Sequence, residues 1–135
     1  MAVSRYSPLE GEAFGAQTWQ EVHIRDADGV LAIALETEAG QNLKLVFAAY
    51  LAFRKMDESD AVHTLEDIAV TSEPGTRLYA VAESDYLRWC HFESDAIHKG
   101  QKLNHYCVAT LDSIIDVISF DPPEVTSLRP SPAAS

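Results

Sequence analysis

Three histidines, His91, His98 and His105, recur at intervals of seven residues. Zinc needs imidazole or thiolate ligands that converge on one point, and its sites usually draw two of them from a short paired spacing. The chain has no H-E-x-x-H, no paired C-x-x-C and no calcium-loop pattern. The three histidines are therefore candidate metal ligands only if a helix, a loop and a strand carry them together, with Cys90 or Asp95 nearby. Scattered surface or loop histidines are the simpler reading. Cys90-His91, and His105 with Cys107, put thiol close to imidazole. Sequence neighbours on a helix or strand seldom face each other, so a nucleophilic Cys/His pair is not expected. Ser59, Ser84, Ser94 and Ser113 supply hydroxyls, but none lies in a G-x-S-x-G elbow, and no phosphate loop or dinucleotide glycine pattern exists. No catalytic residue is assigned and no cofactor is expected.

Charge carries more information. There are 21 acidic residues against 10 basic ones. From Asp57 to Thr76 the chain has Asp57, Glu58, Asp60, Glu66, Asp67 and Glu73 with no Lys or Arg, and from Leu103 to Leu128 it has Asp112, Asp116, Asp121 and Glu124, again with none. Such a surface repels phosphate backbones and anionic lipid, so neither nucleic acid nor membrane is an expected partner. It would attract a basic protein. Asp57-Glu58-Ser59-Asp60 could offer carboxylate oxygens to a divalent cation, but it lacks the alternating ligands and glycine of a calcium loop. A solvated loop leading into a helix fits better, with nearby Arg54 available for an exposed ion pair of little energetic worth.

Two patches mix aromatic and charged residues: Tyr50, Phe53 and Arg54 before the acidic run, and Tyr86, Arg88, Trp89 and Phe92. Interface hot spots use such combinations because aromatics bury a large area with little rotamer loss. Phe53 and Trp89 are expected in the core. Tyr50, Arg54, Asp57, Glu58, Asp60, Tyr86 and Arg88 are the candidate partner-binding residues.

These residues need a scaffold, and 135 residues with 47% apolar content are enough for one domain with a real core. Cys90 and Cys107 are too few for a disulfide framework and read as free buried thiols in a reducing cytosol, although spacing leaves a bridge open. No apolar run reaches the roughly 18 residues of a membrane span, and Met1 to Tyr6 lacks the pattern of an export signal. A cytoplasmic location is expected.

From Trp19 onward the pattern has period two. Val22 and Ile24 form one strand, Asp28-Gly29 a hairpin turn, Leu31, Ile33 and Leu35 a second strand, and Leu43, Leu45 and Phe47 a third. Residues 48–54 either extend this meander or bend away. Asp60 to Ala69 has helical spacing. Pro74-Gly75 reads as a turn and Arg77 to Ala82 as a strand. Ser84 is a good N-cap for a helix running to about Ser94. Tyr106 to Leu111 and Ile114 to Phe120 read as a final hairpin, which Pro122-Pro123 ends.

The run Tyr50 to Asp60, with Asn104-His105-Tyr106-Cys107 and Ile115-Asp116-Val117, looks like segments of small uncharacterised bacterial proteins, some of which travel with polymorphic or contact-dependent toxin systems. The resemblance spans half the chain and carries over no functional residue. Immunity proteins of such systems are small, cytosolic and often acidic, and they neutralise a toxin by binding it.

The expected fold is α+β: an antiparallel sheet of five or six strands with two short helices on one face. Residues 1–18 are expected as a loose lead-in, 19–123 as one domain and 124–135 as a polar tail. The expected function is protein binding, with an immunity-type inhibitor as its specific form. A small ligand-binding domain or metal-dependent enzyme using His91, His98 and His105 is the first alternative, and a homodimeric module joined by a sheet edge or face is the second.

Overall fold

Alternating burial builds the central strands of one of the two sheets. The computed structural model describes residues 3–9, 18–72 and 75–128. In chain order these form β1 (Arg5–Pro8), β2 (Gln20–Ala27), β3 (Val30–Glu36), β4 (Asn42–Phe47), β5 (Tyr50–Asp57), a 3-10 turn (Glu58–Asp60), α1 (Val62–Thr71), β6 (Arg77–Ala82), α2 (Asp85–Glu93), β7 (Asn104–Ala109), β8 (Ser113–Ser119) and β9 (Glu124–Leu128). The strands pair antiparallel in two sheets, one of order β1-β6-β7-β8-β5 and one of order β2-β3-β4-β9.

The three-strand meander is present and its periodicity sets burial in β3 and β4, whereas Val22 of β2 is exposed at a register shift between Glu21 and His23. Asp28 and Gly29 both have positive φ, 54° and 77°, the geometry a two-residue hairpin turn requires. Leu31, Ile33, Leu35, Leu43, Leu45 and Phe47 all point inward. They meet Leu78, Tyr106, Val108, Ile115 and Val117 of the larger sheet, so the principal core lies between the sheets. The opposite face of the larger sheet carries both helices. α1 packs on Tyr6, Tyr79, Val81, Cys107, Ala109 and Ile114, and α2 packs through Tyr86 and Cys90 on Leu103 and Ile118. The molecule has three layers, sheet on sheet on helices.

The α+β class, an antiparallel sheet of five strands and two helices on one of its faces agree with the sequence reading. The meander, however, belongs to a second sheet. The chain turns at Ala48-Ala49, and β5 pairs with β8 rather than with β4. Two boundaries also change. The 124–135 tail begins with β9, which pairs with β4 from Asn42↔Leu128 to Val46↔Glu124. The 1–18 lead-in contains β1, which pairs with β6. Glu73 of the acidic run, Pro74 of the expected turn, residues 1–2 and 10–17 of the lead-in and residues 129–135 of the tail lie outside the described residues. Among the described residues no helix is long and apolar enough to cross a membrane.

Candidate functional site

The helix-bearing face of the larger sheet contains one polar row within an otherwise apolar surface. Arg54 on β5 lies opposite Asp116 on β8, which lies opposite Cys107 on β7. Directly opposed residues of this kind are in side-chain contact range. Arg54 Nε donates to Asp116 Oδ2 at 3.0 Å. His105 is two residues before Cys107 on the same face, and its Nε2 lies 2.7 Å from Asp116 Oδ1. Its Nδ1 lies 2.6 Å from Ser84 Oγ.

Ser84 is placed by the β6–α2 connection. Glu83 adopts the left-handed conformation, φ 53°, and turns the chain so that Ser84 caps α2. Its Oγ accepts the Leu87 N–H at 2.9 Å. In the neutral tautomer of His105 every role closes: the Ser84 hydroxyl donates to Nδ1, and Nε2–H donates to Asp116. Burial by itself pushes the Asp116 carboxyl upward, but His105 and Arg54 outweigh it and hold it below the usual carboxylate value. Burial also raises the Cys107 thiol, with Asp116 adding to the effect, so this cysteine is not a ready thiolate.

A serine, a histidine and an aspartate in hydrogen-bonded sequence invite comparison with a hydrolase triad. The ring is reversed, because the triad serine bonds Nε2 and its aspartate Nδ1. Ser84, His105 and Asp116 are also only 4%, 3% and 3% exposed, and Ser84 is committed to its cap. A nucleophile needs open space for a carbonyl, and this hydroxyl lacks it. The network serves as a clamp that ties the start of α2 to β7, β8 and β5.

The exposed chemistry sits on the outer side of that clamp. The Arg54 side chain is 53% exposed, and its guanidinium carbon lies 4.1 Å from the Tyr86 ring centroid. Tyr86 in turn stacks on Trp89, with centroids 6.1 Å apart and planes 18° apart. Burial, then Cys90, push the Tyr86 hydroxyl up to about 12, against the pull of Arg54. Arg54 lies in the walls of two cavities. One, about 330 Å³, is bounded by Met56, Asp60, His63, Thr64 and Asp116 among others. The second, about 390 Å³, is bounded by Ala52, Phe53, Tyr86 and Trp89.

Of the residues proposed from sequence, Arg54 and Tyr86 come together, and Asp60 shares the first cavity with Arg54. Tyr50 does not. Its hydroxyl bonds Asp26 on β2, and its ring packs against Phe53 and the inter-sheet core. Arg88 turns to Asp85 and to the Glu83 carbonyl. Asp57 accepts from the Ser59 N–H and hydroxyl, which holds its carboxyl low. Arg54 pairs with Asp116 rather than with the nearby acidic run, because positions 54 and 57 point to opposite faces of a strand. Glu58 sits beside Asp112, its N–H donating to the Asp112 carbonyl at 3.1 Å.

The three histidines have separate settings. His105 is in the buried clamp, His98 pairs with Gln101 and packs on Phe120, and His91 Nδ1 is buried without a hydrogen-bond partner among the described residues. Among the described residues no group of three His, Cys, Asp or Glu side chains could hold a metal ion. The reading that His105 and Cys107 would not share a face is also corrected, since i and i+2 on a strand do. Trp89, expected in the core, is 53% exposed. In sequence Asp116 reads as one of the acidic residues and Ser84 as a cap or an isolated hydroxyl, with nothing to join them. Their role depends on strand register, which composition does not reveal. Cys90 and Cys107 are both free.

No protein-family model, curated protein or solved structure matches this chain.

Proposed function

We propose that the chain is a protein-binding domain that engages a basic partner through the acidic edge around the 3-10 turn, with Arg54, Tyr86 and Trp89 as the anchor. The observation that supports this reading is a clustering of carboxylates. Asp57 ends β5 and Glu58 and Asp60 follow it, and Asp112 and Glu21 reach the same end through the Glu58–Asp112 and Glu21–Asp112 hydrogen bonds. Lys55, which also lies there, is tied to Glu21 at 2.8 Å. A half-exposed arginine stacked on tyrosine beside a half-exposed tryptophan matches the residue types that dominate binding energy at protein interfaces. Negative potential would speed encounter, and the aromatics would slow release.

An immunity-type inhibitor is one form of such a binder, and the toxin-system resemblance is what suggests it. Two free buried thiols fit a reducing cytosol as its location. The charged residues Arg54, Lys55 and Asp57 on edge strand β5 argue against a homodimer built by strand addition there.

The test is capture from source-cell lysate at low and high salt, with wild type and with Glu58→Gln/Asp60→Asn. A basic protein retained by wild type at low salt, and lost at high salt or with the double variant, is the expected result. No partner at either ionic strength ends the reading.

A further inference from the structure

Only part of the Arg54 guanidinium is in use. Its Nε bonds Asp116 and its face lies on Tyr86, so its plane is fixed. Among the described residues no hydrogen-bond acceptor takes its terminal amino groups. An arginine held in this way presents a preorganised fork, which matches a carboxylate. The groove beside it, about 390 Å³, is otherwise apolar and aromatic, walled by Ala52, Phe53, Tyr86 and Trp89. A concave apolar surface with one oriented charged group is the usual make-up of a small-molecule site.

We propose that this groove binds a small planar monocarboxylate. The carboxylate takes the free amino groups of Arg54, and the ring lies against Trp89 and Ala52, since Phe53 turns to the inter-sheet core. A single negative charge fits better than two or more. Asp116 already offsets Arg54, and Asp60 lines the adjoining cavity, so a phosphate or dicarboxylate would meet net repulsion. The site shares Arg54, Tyr86 and Trp89 with the proposed partner anchor but uses none of the acidic edge, so benzoate binding and salt-sensitive capture of a basic protein fail separately.

Two-dimensional amide, indole and guanidinium NMR with benzoate as the probe tests it. Saturable shifts are expected at Arg54 Nε–H and the Trp89 indole N–H. Benzamide, which keeps the ring without the charge, should bind about tenfold more weakly or worse, as the loss of a charge-assisted hydrogen bond dictates. Acetate, which keeps the charge without the ring, should weaken similarly. Trp89→Ala should weaken benzoate about three- to tenfold, at a half-exposed position outside the buried Asp116 clamp. A peptide ending in a free phenylalanine carboxylate separates a chain terminus from a free acid. The proposal is overturned if benzoate gives no saturable shift, if benzamide matches it, if Trp89→Ala leaves it unchanged, or if the peptide binds where benzoate does not.

Discussion

Asp116 is the residue on which the helix-bearing face depends. It accepts from Arg54 through one oxygen and from His105 through the other, while it is almost wholly buried. Removing one member of a buried charged set leaves the others without compensation, which costs far more than the pair contributes relative to an apolar replacement. Asp116→Asn is therefore expected to destabilise the fold by about 3–5 kcal/mol near pH 7, measured as a shift in urea midpoint. The pH dependence has a definite sign. The folded carboxyl titrates below its ordinary value of 3.8, so its contribution is fully present above that value and is lost as pH falls through the folded pKa. The stability gap between wild type and Asp116→Asn should hold from neutral pH down to about 4 and then narrow with further acidification. A gap that stays constant into strong acid would show that the ionised carboxylate is not what stabilises the clamp.

Elements with one apolar face were legible in the sequence, and elements buried on both faces or at the sheet margins were less so. β3 and β4 show their alternation openly, and Ser84 shows its cap, so the meander and α2 could be read directly. β8 is buried at every position because sheet and helices cover it on opposite sides, so its pattern could not show that Asp116 faces the helices. β9 was missed because Val125 sits between Glu124, Thr126 and Ser127, and Pro122-Pro123 suggested an end rather than a crossing to the second sheet. Its pairing with β4 has a measurable consequence. Ending the chain after Pro123 strips a five-pair ladder from β4, and at a few tenths to one kcal/mol per cross-strand pair this costs about 1–5 kcal/mol. It also opens the edge of β4, whose unpaired backbone groups become a template for association. Urea unfolding and light scattering at several concentrations should show lower stability and larger particles. An unchanged midpoint would mean that β9 adds nothing to the sheet.

At the scale of the whole molecule, a formal net charge of -11 admits two explanations. It either keeps the protein soluble regardless of where the charges sit, or it steers a partner to one place. The structure provides a matched pair of positions with which to separate them. Glu58 and Asp60 lie on the edge beside Arg54 and the first cavity, whereas Glu36 and Glu38 lie at the β3–β4 turn of the other sheet. Reversing either pair to lysine changes the net charge by the same amount, from -11 to -7, since two losses of -1 and two gains of +1 total +4. Asp57 is left intact because its carboxylate caps the 3-10 turn. With the partner captured from lysate, stopped-flow association should be slowed about tenfold by Glu58→Lys/Asp60→Lys and much less by Glu36→Lys/Glu38→Lys, because complementary charge near the docking edge acts chiefly on encounter. The difference should shrink as ionic strength rises and the Debye length falls from about 8 Å toward 3 Å. Equal slowing by both pairs would assign the effect to total charge and remove the acidic edge as a docking surface. Dissociation adds an independent check, since Trp89→Ala should speed release while leaving the salt dependence of association unchanged.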